Sequence, residues 1–130
     1  MARKLVFIAT IIVILTMASA CGPQKTKLSA SDNNKSIDAA VGGQIVIALS
    51  GNPSTGYTWE AKDLDSSMFQ QVGETQFKSS NPGLAGASGT QTLTFKALKA
   101  GAATLTLIYH RPWEKDVAPL DTFTINVTVK

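Results

Sequence analysis

Cysteine occurs once in the 130 residues, at Cys21, and histidine once, at His110. A lone cysteine excludes an intramolecular disulfide and a cysteine-based zinc site. No Gly-x-Ser-x-Gly elbow marks a serine nucleophile, although sequence alone leaves a serine–histidine–acid set open. The close acid pairs Asp63/Asp65 and Glu114/Asp116 lack calcium-loop spacing and read as solvated loop charges. Beyond residue 20 no stretch has helical periodicity. No metal and no cofactor is expected.

The one long apolar run, Leu5–Met17, falls short of the ~20 residues that a membrane-spanning helix needs. It follows Arg3 and Lys4 and precedes Ala18-Ser19-Ala20, the plan of a secretory signal. Cys21 comes next, so the segment resembles a bacterial lipoprotein signal with a lipidated cysteine as the mature N-terminus. Ala18 departs from the branched apolar residue usual at its position. The alternative is an ordinary secretory signal with a chance cysteine at the cut. The first reading places a signal at 1–20, a lipid anchor at Cys21 and an exported, cell-envelope lipoprotein. It also uses up the one thiol, leaving no cysteine–histidine pair for catalysis.

Removing 1–20 leaves 110 residues, the size of one domain. Ten Lys and Arg then face nine Asp and Glu, a net charge of +1, which suggests no nucleic-acid surface. Residues 21–36 are polar, with one leucine, and read as a flexible tether. From residue 37 the chain alternates with period two. Ile45, Ile47 and Leu49 share one face; so do Leu93, Phe95 and Ala97, then Ala103, Leu105, Leu107 and Tyr109, then Phe123, Ile125, Val127 and Val129. Such alternation predicts antiparallel strands with one buried face. Shorter strands are expected near 37–41, 57–61 and 68–77. About seven to eight strands in this length predict an all-β, immunoglobulin-like sandwich or barrel without a disulfide.

Three connections carry more than a turn requires. "GNPSTGYTW" (51–59) holds Asn-Pro, which disfavours helix, Pro53 with a fixed φ, and Gly56 able to take a positive φ. "SNPGLAGASG" (80–89) is glycine-rich, and "HRPWEKDVAP" (110–119) sets Trp113 between prolines. Each has an ordinary reading as a turn, a core-capping tryptophan or a self-bracing arginine. In a seven-strand sandwich, however, they join B to C, D to E and F to G at one end and so form a binding face.

In these three segments the chain resembles the chagasin-like inhibitors of papain-like cysteine proteases. Their signature appears as Asn52-Pro53-Ser54-Thr55-Gly56-Tyr57, Gly86-Ala87-Ser88-Gly89 and Arg111-Pro112-Trp113, within residues 37–130. Ser88 stands where the family has glycine, a strain on the order of 1 kcal/mol if that position needs a positive φ. The resemblance implies a reversible, non-covalent competitive inhibitor, not an enzyme. Asn52–Tyr57 would be a central wedge, Gly86–Gly89 would lie on the unprimed side of the cleft, and Trp113, positioned by Arg111 and Pro112, would cover the primed side. The implied partners are papain-like proteases and, through Cys21, a membrane; a monomer is expected. The competing reading is an immunoglobulin-like surface module for a glycan or a non-protease protein.

Overall fold

The computed structural model describes residues 24–130; the signal at 1–20 and Cys21 lie outside the described residues. Among the described residues nine strands form two packed sheets. They are β1 (Lys25–Leu28), β2 (Ser36–Ala39), β3 (Gln44–Gly51), β4 (Thr58–Lys62), β5 (Phe69–Gln71), β6 (Gln76–Ser79), β7 (Gly89–Ala97), β8 (Gly101–His110) and β9 (Asp121–Val129). One sheet runs β1-β3-β7-β5, with β6 also on β7; the other runs β2-β9-β8-β4. This is the expected two-sheet, immunoglobulin-like arrangement, with one strand more than the upper expectation.

The core follows from the period-two alternation. Ile45, Ile47, Leu49, Leu93, Phe95 and Ala97 of the first sheet are buried, as are Leu105, Leu107, Phe123, Ile125, Val127 and Val129 of the second. Threonines occupy the wetter faces between them, where branched side chains favour the strand without adding apolar surface. Among the described residues the buried polar side chain is Gln91, at 3 % exposure.

Two expectations are corrected. The proposed tether at 21–36 is structured from Lys25 onward. β1 pairs in parallel with β3, from Lys25↔Gln44 to Leu28↔Ile47, and puts Leu28 into the core at 6 % exposure. A short 3₁₀ turn, Ala30–Asp32, follows, and β2 then pairs in parallel with β9. The Asp32 carboxylate accepts from the Ser29 N–H at 2.9 Å, and that bond chiefly holds its pKa below the ordinary carboxylate value. Parallel pairing with distant strands leaves no hairpin turn in the sequence, and an edge strand with one apolar residue has little alternation to show. The second correction concerns 68–77, expected as one strand. Gly73, at φ 69°, turns the chain between β5 and β6, which pair separately with β7.

The strand directions place the loops. β3 ends at Gly51 opposite Gly89, where β7 begins; β4 begins at Thr58 opposite His110, where β8 ends. β9 begins at Asp121 opposite Tyr109. Connections 52–57, 80–88 and 111–120 therefore leave from one pole. Lys25 and Val129 lie at the other, beside Gln44 and Gly101.

If β1 belongs to the domain, Leu28→Ala should lower stability by about 2–3 kcal/mol in urea unfolding, the cost of a truncated buried leucine. Deleting residues 1–29 should lower it at least as much. An unchanged midpoint in both variants would return this segment to the status of a tether.

Candidate functional site

The first loop is a 3₁₀ turn, Pro53–Thr55, and its sequence explains its shape. Asn52 is the N-cap in extended conformation, and its Oδ1 accepts from the Ser54 N–H at 3.2 Å. Pro53 occupies the first helical position, where a missing N–H costs nothing. Thr55 donates to the Asn52 carbonyl from both its N–H (3.1 Å) and its hydroxyl (2.6 Å). Gly56 ends the turn at φ 84° and donates to the Pro53 carbonyl at 2.9 Å. A Cβ at Gly56 would also collide with the Trp113 ring, so glycine is required there both for the backbone and for the contact.

The second loop is closed at its base by Ser80, whose N–H and hydroxyl both donate to the Ser88 carbonyl, at 3.0 and 2.7 Å. The Gly86 carbonyl reaches the first loop, accepting from Asn52 Nδ2 at 3.1 Å and Ser54 Oγ at 3.4 Å. The positive φ in the middle motif falls on Gly86 (76°), and Ser88 is not among the residues with positive φ. The strain considered for Ser88 is therefore absent.

The third loop grips the first from the other side. Arg111 Nε donates to the Thr55 carbonyl at 3.0 Å, and its guanidinium lies 4.6 Å from the centre of the Tyr57 ring. Arg111 Nη1 donates to Glu114 Oε1 at 3.0 Å, a bond that chiefly raises the arginine's pKa further above its ordinary value. Trp113 rests on Gly56 yet stays 66 % exposed, so it does not cap the core. The structure thus brings Asn52, Ser54, Thr55, Gly56, Tyr57, Gly86, Arg111 and Trp113 into one continuous edge. Pro53 and Pro112 lie exposed within that edge, while Ala87, Ser88 and Gly89 carry the second loop back into β7.

Asp65, Glu114 and His110 have polar partners within the fold. Asp65 accepts from Ser67 Oγ at 2.6 Å and from Ser67 N–H at 3.0 Å, bonds that hold its pKa below the usual carboxylate value. Asp63 and Asp116 adopt positive φ, and Glu114 holds Arg111. His110 Nε2 lies 2.7 Å from Glu60 Oε2 across β8 and β4. Two residues of the site escaped the motifs. Tyr109 accepts the Asn52 N–H on its hydroxyl at 2.9 Å, and Gln91 bonds to Thr58 and Trp59. Gln91 carried a signal: it shares the apolar phase of Leu93 and Phe95.

A rigid sandwich that fuses three loops into one exposed edge is the layout of a loop-presenting binding protein. Residues 38–127 match the chagasin family peptidase inhibitors, I42. The chain is 31 % identical to amoebiasin-2 of Entamoeba histolytica over 104 residues, covering 79 % of this chain and 84 % of that one. Identity to chagasin of Trypanosoma cruzi is 29 % over 104 residues, covering 76 % and 93 %. The crystal structure of the cysteine protease inhibitor EhICP2 from Entamoeba histolytica superposes with a TM-score of 0.72 at 30 % identity, covering 84 % of this chain and 100 % of that one. This chain belongs to the chagasin family, a family of peptidase inhibitors and not of enzymes.

Gly56→Ala should cost about 1–2 kcal/mol, the price of a left-handed conformation for a residue with a Cβ. It should also shift the fluorescence emission of the exposed Trp113, because the ring has to leave Gly56. Unchanged emission would show that the indole does not rest there in solution.

Proposed function

We propose that this protein is a reversible, non-covalent, competitive inhibitor of papain-like cysteine proteases, acting through the edge made by its three loops. Family membership supports the reading, but one observation carries it: the direct bonds of Gly86 and Arg111 to the first loop and the seat of Trp113 on Gly56. A cleft-binding edge built this way loses little entropy on docking.

The first loop also suits a wedge that survives in a protease cleft. A substrate offers an extended segment with a free carbonyl for the oxyanion donors. Here the carbonyls of Asn52, Pro53 and Thr55 already accept bonds from Thr55, Gly56 and Arg111. A 3₁₀ turn with these three carbonyls occupied offers no extended segment for attack, so the inhibitor blocks the cleft without being consumed. Ser54 and Thr55 are small enough at the tip for close backbone approach. The second loop lies to one side, where glycines allow main-chain pairing with the unprimed cleft. Trp113, on the other side, serves as an aromatic anchor over the primed side. The expected interface is of standard size, about 1,600 Å² in total.

From the signal-like segment at 1–20 and Cys21 we infer separately a monomeric cell-envelope lipoprotein anchored through Cys21. Two features favour this arrangement. Only Gly22, Pro23 and Gln24 separate Cys21 from β1, a reach of at most about 14 Å for a fully extended chain. β1 also begins at the pole opposite the loops, and β3 spans roughly 25 Å between the two poles. An anchor at that pole leaves the inhibitory edge facing away from the membrane.

Residues 22–130 should inhibit papain and remain intact on prolonged incubation. Trp113→Ala should weaken inhibition by at least ~30-fold, the size of an aromatic hot spot, and Thr55→Trp should do so by blocking the wedge. Equal potency of all three proteins would remove the mechanism. For the anchor, labelled palmitate should be incorporated into the full-length protein expressed in bacteria and not into Cys21→Ser. A wild-type protein that takes up no label would count against lipidation.

A further inference from the structure

The wedge is a loop, yet the bonds that shape its ends come from two residues outside the three motifs, one on each sheet. Tyr109, at the end of β8, is half-buried. Its ring lies 5.2 Å from Trp59 and 5.3 Å from Tyr57, and its hydroxyl accepts the N–H of Asn52 at 2.9 Å. Asn52 is the residue whose side chain caps the turn and reaches Gly86, so this bond fixes the point from which the wedge and its link to the second loop are built.

Gln91, near the start of β7, holds the stems. Its Oε1 accepts from the Trp59 N–H at 3.3 Å, and its Nε2 donates to Thr58 Oγ1 at 3.1 Å. A side chain on Gly51 would collide with the amide, so Gln91 packs against the strand that leads into the wedge while bonding to the strand that leaves it. Trp59 ties the two stems again, donating from Nε1 to the Ser50 carbonyl at 2.9 Å. A buried amide with both ends engaged favours one geometry, whereas an apolar residue would fill the space without setting register.

We propose that Tyr109 and Gln91 are positioning residues for inhibition. They hold the Asn52–Tyr57 wedge in its binding shape from opposite sheets, so the residence time on a protease depends on two side chains that never touch it. The proposal rests on the wedge reading above, but its primary readout is in the free inhibitor. In Tyr109→Phe, amide hydrogen exchange across residues 52–57 should quicken about fivefold, the size of one neutral hydrogen bond, while β3, β7, β8 and β9 keep their protection. Inhibition of papain should weaken by a similar factor, through faster dissociation with little change in association rate. Gln91→Met, similar in length and without the amide, should act in the same direction.

Double variants separate positioning from contact. Tyr109→Phe should be non-additive with Pro53→Ala, since both loosen one loop, and additive with Trp113→Ala. Unchanged exchange at 52–57 in Tyr109→Phe would overturn the proposal, as would an increase spread evenly over the strands. Should Gln91→Met fail to fold, Tyr109→Phe decides alone. If the wild type inhibits no papain-like protease, the proposed function falls while the exchange result still decides whether Tyr109 positions the loop.

Discussion

The end of one strand fixes the shape of a loop that belongs to two others. Tyr109, Arg111 and Trp113 occupy alternate positions where β8 runs out, and they meet the first loop at the Asn52 N–H, the Thr55 carbonyl and the face of Gly56. Each contact takes up a group that an isolated turn would leave to water. The loop can therefore be both exposed and stiff, a combination that loops seldom reach on local bonding alone. Loosen this grip and the third loop parts from the first, leaving the bonds to the Gly86 carbonyl as the link within the edge.

The grip needs a scaffold that does not move, and the scaffold is held without a cross-link. A domain of this size reaches stability through its core. Here the core is the interdigitated apolar faces of β3 and β7 against β8 and β9, with Phe69, Phe95 and Phe123 fully buried. The edge strands β1 and β2 extend both sheets and add Leu28 to that core. The fold thereby separates its duties. Buried residues keep the two sheets in register, Gln91 and Tyr109 convert that register into loop geometry, and the exposed tips are left free for a partner.

Much of this was legible in the residues. The alternation from Ile45 to Val129 gave the strands and the buried face, because a half-buried strand must repeat every two residues. The three loop motifs gave the candidate edge, because proline, glycine and asparagine have narrow conformational uses. The failures have physical reasons too. β1 looked like a tether since a parallel edge strand needs no nearby turn and only one of its residues, Leu28, is buried. Ser88 looked strained because sequence does not say which residue of a glycine-rich turn takes the positive φ; Gly86 does. Gln91 belongs to none of the three motifs, though it stands in the apolar phase of Leu93 and Phe95.

By itself, then, the sequence determined the long strands β3, β7, β8 and β9, which face of each is buried, and which three connections are unusual. These follow from local stereochemistry and from the period of apolar residues. Only the tertiary structure decided that the first connection is bonded to the other two, that β1 begins at the far pole, and that Tyr109 and Gln91 bond to the first loop and its stem. Those facts rest on contacts such as Asn52 with Tyr109 and Thr55 with Arg111, between residues more than fifty positions apart. No local pattern encodes such a pairing, because it exists only once the two sheets have packed.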